Sequence, residues 1–175
     1  MKIISRSRLA VAATAGALVV GLVVGPARAD TSLSPPPLVS VTLAQGSLPP
    51  TLLTGHGKTL AGSRWGMVML TVGMTDAYAV DNKFGLGTST GWHSHPGPSL
   101  IFVVAGTVID YDDSNPHCAP VSYAAGSTIV DIGGSDVHML RNEGTMPAET
   151  IAVQFIPSGQ PRKVAAPEPA GCTIP

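Results

Sequence analysis

Residues 91–106 read Gly91-Trp92-His93-Ser94-His95-Pro96-Gly97-Pro98-Ser99-Leu100-Ile101-Phe102-Val103-Val104-Ala105-Gly106. His93 and His95 are two apart. Side chains on an extended strand repeat every two residues, so both imidazoles face one side. Two neutral rings on one face can share a metal ion, and imidazole suits Zn, Cu, Fe and Ni. Pro96-Gly97-Pro98 stops the strand and forces a turn. The apolar run Leu100 to Ala105 is rich in β-favouring residues, and Gly106 supplies a bend. H-x-H alone is a weak metal signal.

A third histidine, His138, lies in Ser135-Asp136-Val137-His138-Met139-Leu140-Arg141-Asn142. Three histidines leave at least one coordination position open to water or substrate, as catalytic rather than structural sites do. Ile101 and Val103 share the parity of Ser99 and should line a cavity with Leu140. Trp92, of opposite parity, should point away from the metal. His56 and His117 fall in Gly- and Pro-rich segments and read as exposed loop residues.

The arrangement resembles the cupin family. That family's first motif is G-x5-H-x-H-x3,4-E-x6-G, and its second is G-x5-P-x-G-x2-H-x3-N. His93, Ser94 and His95 match the H-x-H, and Gly106 matches the closing glycine. His138 and Asn142 match the H-x3-N, with Gly126 as the opening glycine. Two departures stand out. Ser99 occupies the glutamate position, and the P-x-G is blurred into Asp131-Ile132-Gly133-Gly134-Ser135. The likeness spans about residues 65–157. It implies an all-β double-stranded β-helix, a jelly-roll barrel, with both motifs facing its interior. It also implies a divalent metal (Fe, Zn, Mn, Ni or Cu) on His93, His95 and His138.

Without a glutamate, three neutral imidazoles leave a divalent ion its full charge. Such a centre acidifies bound water and favours anionic or chelating ligands. Some cupins use three histidines for iron-dependent oxygen chemistry, so the serine does not exclude catalysis. Ser99 is a candidate to hydrogen-bond bound water, against a bland reading as a small barrel residue. Restoring a carboxylate with Ser99→Glu should then tighten metal binding. Asp136, two before His138, is a candidate base or acceptor, against a reading as a solvated turn residue. Metal binding should weaken as pH falls through roughly 6.5, where free imidazole protonates.

The rest of the chain frames this stretch. Lys2, Arg6 and Arg8 precede an apolar run from Leu9 to Gly25, and Ala27-Arg28-Ala29 follows. This is the pattern of a secretory signal peptide, residues 1–29, leaving Asp30 first; a membrane anchor is the competing reading. Removing it takes away four basic residues and no acidic ones. Eleven acidic and six basic side chains remain, a net charge of −5. A negative chain without a basic run is a poor partner for nucleic acid or, once the signal is cleaved, for an anionic membrane. A small-molecule ligand or substrate is the expected partner, and a homodimer is compatible with the pattern. Cys118 and Cys172 read as a disulfide in an exported chain, with metal ligation or a reactive thiol as the alternative.

Residues 30–38 form a Pro-rich leader, 39–157 a single barrel domain and 158–175 a Pro/Ala-rich tail. Val39–Leu43, Trp65–Val72, Tyr78–Phe84, Thr107–Tyr111, Val121–Ala124, Ser127–Ile132, Val137–Arg141 and Glu149–Ile156 read as strands. Three functions fit: an exported metalloenzyme, dioxygenase-like in its most specific form, with isomerase or hydrolase chemistry also open; a non-catalytic binder of metal or small ligand; or a structural barrel without metal.

Overall fold

The computed structural model describes residues 37–172 and Ile174. The signal segment and most of the leader lie outside the described residues. The strands are β1 Val39–Leu48, β2 Thr51–Lys58, β3 Arg64–Thr71, β4 Thr75–Phe84, β5 His93–Ser94 and β6 Ser99–Ala105. They continue as β7 Thr107–Asp112, β8 Val121–Ala124, β9 Thr128–Asp131, β10 His138–Arg141, β11 Ala148–Pro157 and β12 Val164–Ala165. One antiparallel sheet runs β1-β4-β11-β6-β9, a second runs β12-β5-β10-β7-β8, and β2 pairs only with β3.

Alternation builds the core. On β11 the buried residues are Ala148, Thr150, Ala152, Gln154 and Ile156, every second position. On β6 they are Ser99, Ile101 and Val103. Val80, Phe84 and Ile129 from the same sheet meet Val108 and Leu140 from the other, so the two inner faces share one apolar cluster. This is the layered burial that antiparallel sheets achieve by presenting one face inward.

Close backbone approaches need glycine. A Cβ on Gly97 would stand 2.1 Å from the Phe155 carbonyl oxygen, so the turn after His95 packs directly on β11. Gly106 has φ +67°, and a Cβ there would lie 2.5 Å from the Pro147 oxygen. Asn142 is fully buried. Its amide donates to the carbonyls of Phe84, Gly85 and Met146, and its Oδ1 accepts from the Gly144 N–H. It is therefore a turn-closing residue.

Three features depart from the sequence expectation. His56 lies on a strand, exposed, because Gly55 and Gly57 act as strand residues here. The Trp65 ring from β3 covers Gly55, 3.5 Å from where a Cβ would be. The histidine strand is only two residues long, since Pro96 ends it at once. And the tail carries a strand: β12 pairs Val164 with Ser94 and Ala165 with His93. Cys118, in the 3₁₀ turn Pro116–Cys118, is disulfide-bonded to Cys172, which pins the end of that tail. Among the described residues no helix is long and apolar enough to cross a membrane.

Candidate metal centre

His93 and His138 are direct cross-strand partners. Facing residues of an antiparallel pair project to the same side, so two short strands bring together rings 45 positions apart in sequence. His95, just past the end of β5, keeps the inward parity. All three are about 95% buried or more. The Nε2 atoms of His93 and His95 lie 3.1 Å apart, and those of His138 and His93 lie 3.2 Å apart.

The outer nitrogens decide what those short distances mean. His93 Nδ1 is 2.8 Å from the Gly91 carbonyl oxygen. His95 Nδ1 lies against the Arg162 carbonyl. A carbonyl only accepts, so each Nδ1 carries the proton and each Nε2 presents a lone pair. The Gln154 amide nitrogen, 3.3 Å from His95 Nδ1, is then a packing neighbour; its oxygen accepts from Arg162 at 3.0 Å. Two lone pairs facing each other at 3.1 Å repel, and a shared cation removes the repulsion. With metal–imidazole bonds of about 2.0–2.1 Å, nitrogens on one ion sit roughly 3.0–3.4 Å apart. The donor set fits a divalent metal.

Two buried carboxylates reinforce the fit. Asp110 Oδ1 is 4.0 Å from His138 Nδ1, and Asp131 Oδ2 is 3.8 Å from His95 Nε2. Both oxygens are buried without a hydrogen-bond partner. Buried anions are ordinarily paired or coordinate a metal.

Proton competition differs from the sequence expectation. Burial, with help from the His138 and Lys163 charges, lowers His93 to about 2. Burial also lowers His138. Protons therefore compete for these two nitrogens only below the ordinary imidazole range. Asp110 moves the opposite way, up to about 7, through burial and then the charges of Asp112, Asp136 and Asp131.

The signs give a test on metal-free protein. The folded state binds fewer protons than the unfolded chain at His93, so that contribution falls as pH drops below 6.5. At Asp110 the folded state binds more protons, so stability rises as pH falls from about 7 toward 3.8. The two slopes oppose each other in the wild type. Asp110→Asn removes the larger opposing slope, leaving only that of Asp136, which burial raises to about 6, so its melting temperature should fall more steeply between pH 7 and 5 than the wild type's. Parallel melting curves across that range would contradict the assignment.

A cavity of about 150 Å³ opens on the triad, lined also by Ile101, Leu140, Asn82, Gln154, Arg162 and Lys163 among others. Val103, expected on this wall, lies in the apolar core instead. Ser99 and Asp136 are not on the wall either. Ser99 is buried with its Oγ unpartnered. Asp136 groups with Asp112 and Asp113. Trp92 is half-buried, and its carbonyl accepts from Ala166. His56 and His117 are exposed and outside the triad. Sequence reasoning missed Asp110, Asp131, Gln154, Arg162 and Lys163. For the two aspartates a signal existed, since each occupies an inward position of a strand. Arg162 and Lys163 sit in the Pro/Ala-rich tail and gave none.

No protein-family model matches the chain, and no curated protein matches it. Solved structures do. The chain is similar to a cupin superfamily protein from Desulfitobacterium hafniense, with 12% identity over 46% of this chain and 67% of that one, TM-score 0.40. It is similar to the DMSP lyase DddQ from Ruegeria pomeroyi, with 18% identity over 51% and 42%, TM-score 0.44. It is similar to a predicted oxalate decarboxylase from Thermotoga maritima, with 17% identity over 60% and 93%, TM-score 0.40. The two antiparallel sheets, sharing one inner apolar cluster, make a double-sheet jelly-roll barrel. In this barrel the motif histidines converge as the strand register requires, while the tail closes one side of their cavity. Lys163 Nζ donates to the Thr90 carbonyl at its edge.

Proposed function

We propose that this chain is an exported metal-binding cupin acting as a small metalloenzyme, dioxygenase-like in its chemistry, on a small oxygen-bearing organic molecule. The observation that carries the proposal is the convergence of three Nε2 atoms, those of His93 and His95 unprotonated, at one wall of a small cavity. When bound, a divalent metal there would supply Lewis-acid or oxygen chemistry.

The chain's own residues do the rest. His93, His95 and His138 would hold the ion, and the Gly91 and Arg162 carbonyls lock two of the rings in the binding tautomer. Ile101, Leu140 and Ala152 make part of the wall dry. Among the described residues lining the cavity none is a carboxylate, and the ionisable groups beyond the triad are Arg162 and Lys163. That lining favours a ligand already bearing anionic oxygen, and chemistry that does not start from a carboxylate base. Arg162 is oriented by Gln154 and lies 5.5 Å above the Tyr78 ring. Lys163 spends one donor on Thr90 and keeps two for a ligand. The disulfide supports the export part of the proposal.

The test begins with exported protein, its N-terminus sequenced and its metal identified by mass spectrometry. Oxygen consumption is then followed with diketones, flavonols and thiols. An N-terminus at Asp30 and turnover of one class are expected, and Lys163→Ala should raise KM for an anionic substrate roughly tenfold. The same cationic wall would also retain a small anion without turning it over. Tight binding with no oxygen uptake across the panel would replace the enzyme by that binding function.

A further inference from the structure

We propose that Asp131 supplies the carboxylate missing from the first motif, serving as a fourth protein ligand beside the three histidines. The inference rests on the triad being a metal site and names a ligand which the motif does not.

The register carries it. Ser99, at the motif's glutamate position, is the direct cross-strand partner of Asp131. Facing side chains in an antiparallel pair project to one side with Cβ atoms about 4.5–5.5 Å apart. A carboxylate moved one strand sideways therefore enters the same interior region. Both positions are buried, Ser99 at 1% and Asp131 at 2% exposure. The Ser99 hydroxyl has no partner and is too short to replace a glutamate.

The atoms of Asp131 divide their work. Oδ1 accepts from the Gly133 N–H at 2.7 Å. Oδ2 has no hydrogen-bond partner and lies 3.8 Å from His95 Nε2; it stands outside the cluster formed by the three histidine nitrogens, so ligation requires the side chain to turn toward them. His95 Nε2 carries a lone pair, because the proton sits on Nδ1 against Arg162. Two buried acceptors thus face each other with no proton between them, which a cation would satisfy. Asp110 differs in kind: it lies 4.0 Å from His138 on the Nδ1 side, away from the converging Nε2 atoms.

The backbone holds this arrangement. The Gly134 N–H donates to the His95 carbonyl at 2.7 Å. Gly133, at φ +71°, packs so closely on Gly97 that a Cβ would stand 2.4 Å from its oxygen. The turn after Asp131 is thereby clamped to the turn after His95.

The experiment is a Zn²⁺ titration against a chromophoric chelator, with circular dichroism to confirm folding. The proteins are wild type, Asp131→Asn, Ser99→Glu and the double variant. Wild type should bind one Zn²⁺, and Asp131→Asn should weaken binding at least about 10- to 100-fold. The double variant should recover most of the loss, because Glu at position 99 restores a carboxylate on the same face. Ser99→Glu alone should gain nothing, in place of the tightening expected from the motif, since its carboxylate meets that of Asp131 on the facing strand. Wild-type affinity in folded Asp131→Asn would overturn the inference. So would a tenfold tightening by Ser99→Glu alone, a result that remains readable even where Asp131→Asn does not fold. Absence of Zn²⁺ binding by wild type would instead overturn the metal site itself.

Discussion

His138→Ala is expected to abolish stable metal binding, with affinity falling by more than about 100-fold. Loss of groups behind the ligands already costs roughly 10- to 100-fold, and here one of three converging Nε2 atoms disappears. His138 is also the residue that ties the second motif to the first, by its pairing with His93. Metal content by mass spectrometry is the measurement. His56→Ala and His117→Ala should retain full occupancy, since both side chains are exposed and outside the triad. Removing His138 leaves an apolar-walled gap but also one lone pair fewer facing the others. The metal-free variant should therefore stay folded by circular dichroism, so that lost metal reports lost ligation. Equal metal in wild type and His138→Ala would remove the second motif from the site.

Breaking the disulfide should have the second large effect, and it should reach the site. Cys118 and Cys172 close a segment with a sequence separation of 54 residues. Chain-entropy models place such a cross-link at about 4 kcal/mol. For a domain of this size that corresponds to roughly 10–20 °C in melting temperature. The closed segment contains β12, the Arg162 carbonyl that fixes the His95 tautomer, and both cations of the cavity wall. Cys118→Ser/Cys172→Ser should therefore melt earlier and bind Zn²⁺ more weakly, although no ligand has been touched. Coincident melting curves and equal affinities would show that the tail holds its place without the tether.

The two effects differ in how far sequence could foresee them. Side-chain parity is local, so the shared face of His93 and His95 followed from their spacing alone, and the motif resemblance implied that this face is the interior. The match of His138 and Asn142 to the second motif put the third ring in the interior before any strand was paired. Counting cysteines in a chain with an export pattern was enough to join Cys118 to Cys172. Strand positions were largely legible for β6, β7 and β11, where apolar residues alternate or cluster between glycines and prolines.

Which strands become neighbours, and in what register, is not local. Asp131 matters because β9 lies beside β6 with Asp131 opposite Ser99. Asp110 matters because β7 pairs with β10, setting it opposite Leu140 and near His138. Neither pairing can be derived from the spacing of residues along one strand. The tail shows the same limit more sharply. Residues 158–172 have the composition of a loose end, and nothing in their pattern distinguishes Arg162 or Lys163. A two-residue strand and a disulfide place them over the histidines. The histidine triad was thus determined by sequence period and motif. Its carboxylates, ring tautomers and cationic wall were decided by contacts between segments far apart in the chain, which only the folded arrangement brings within bonding distance.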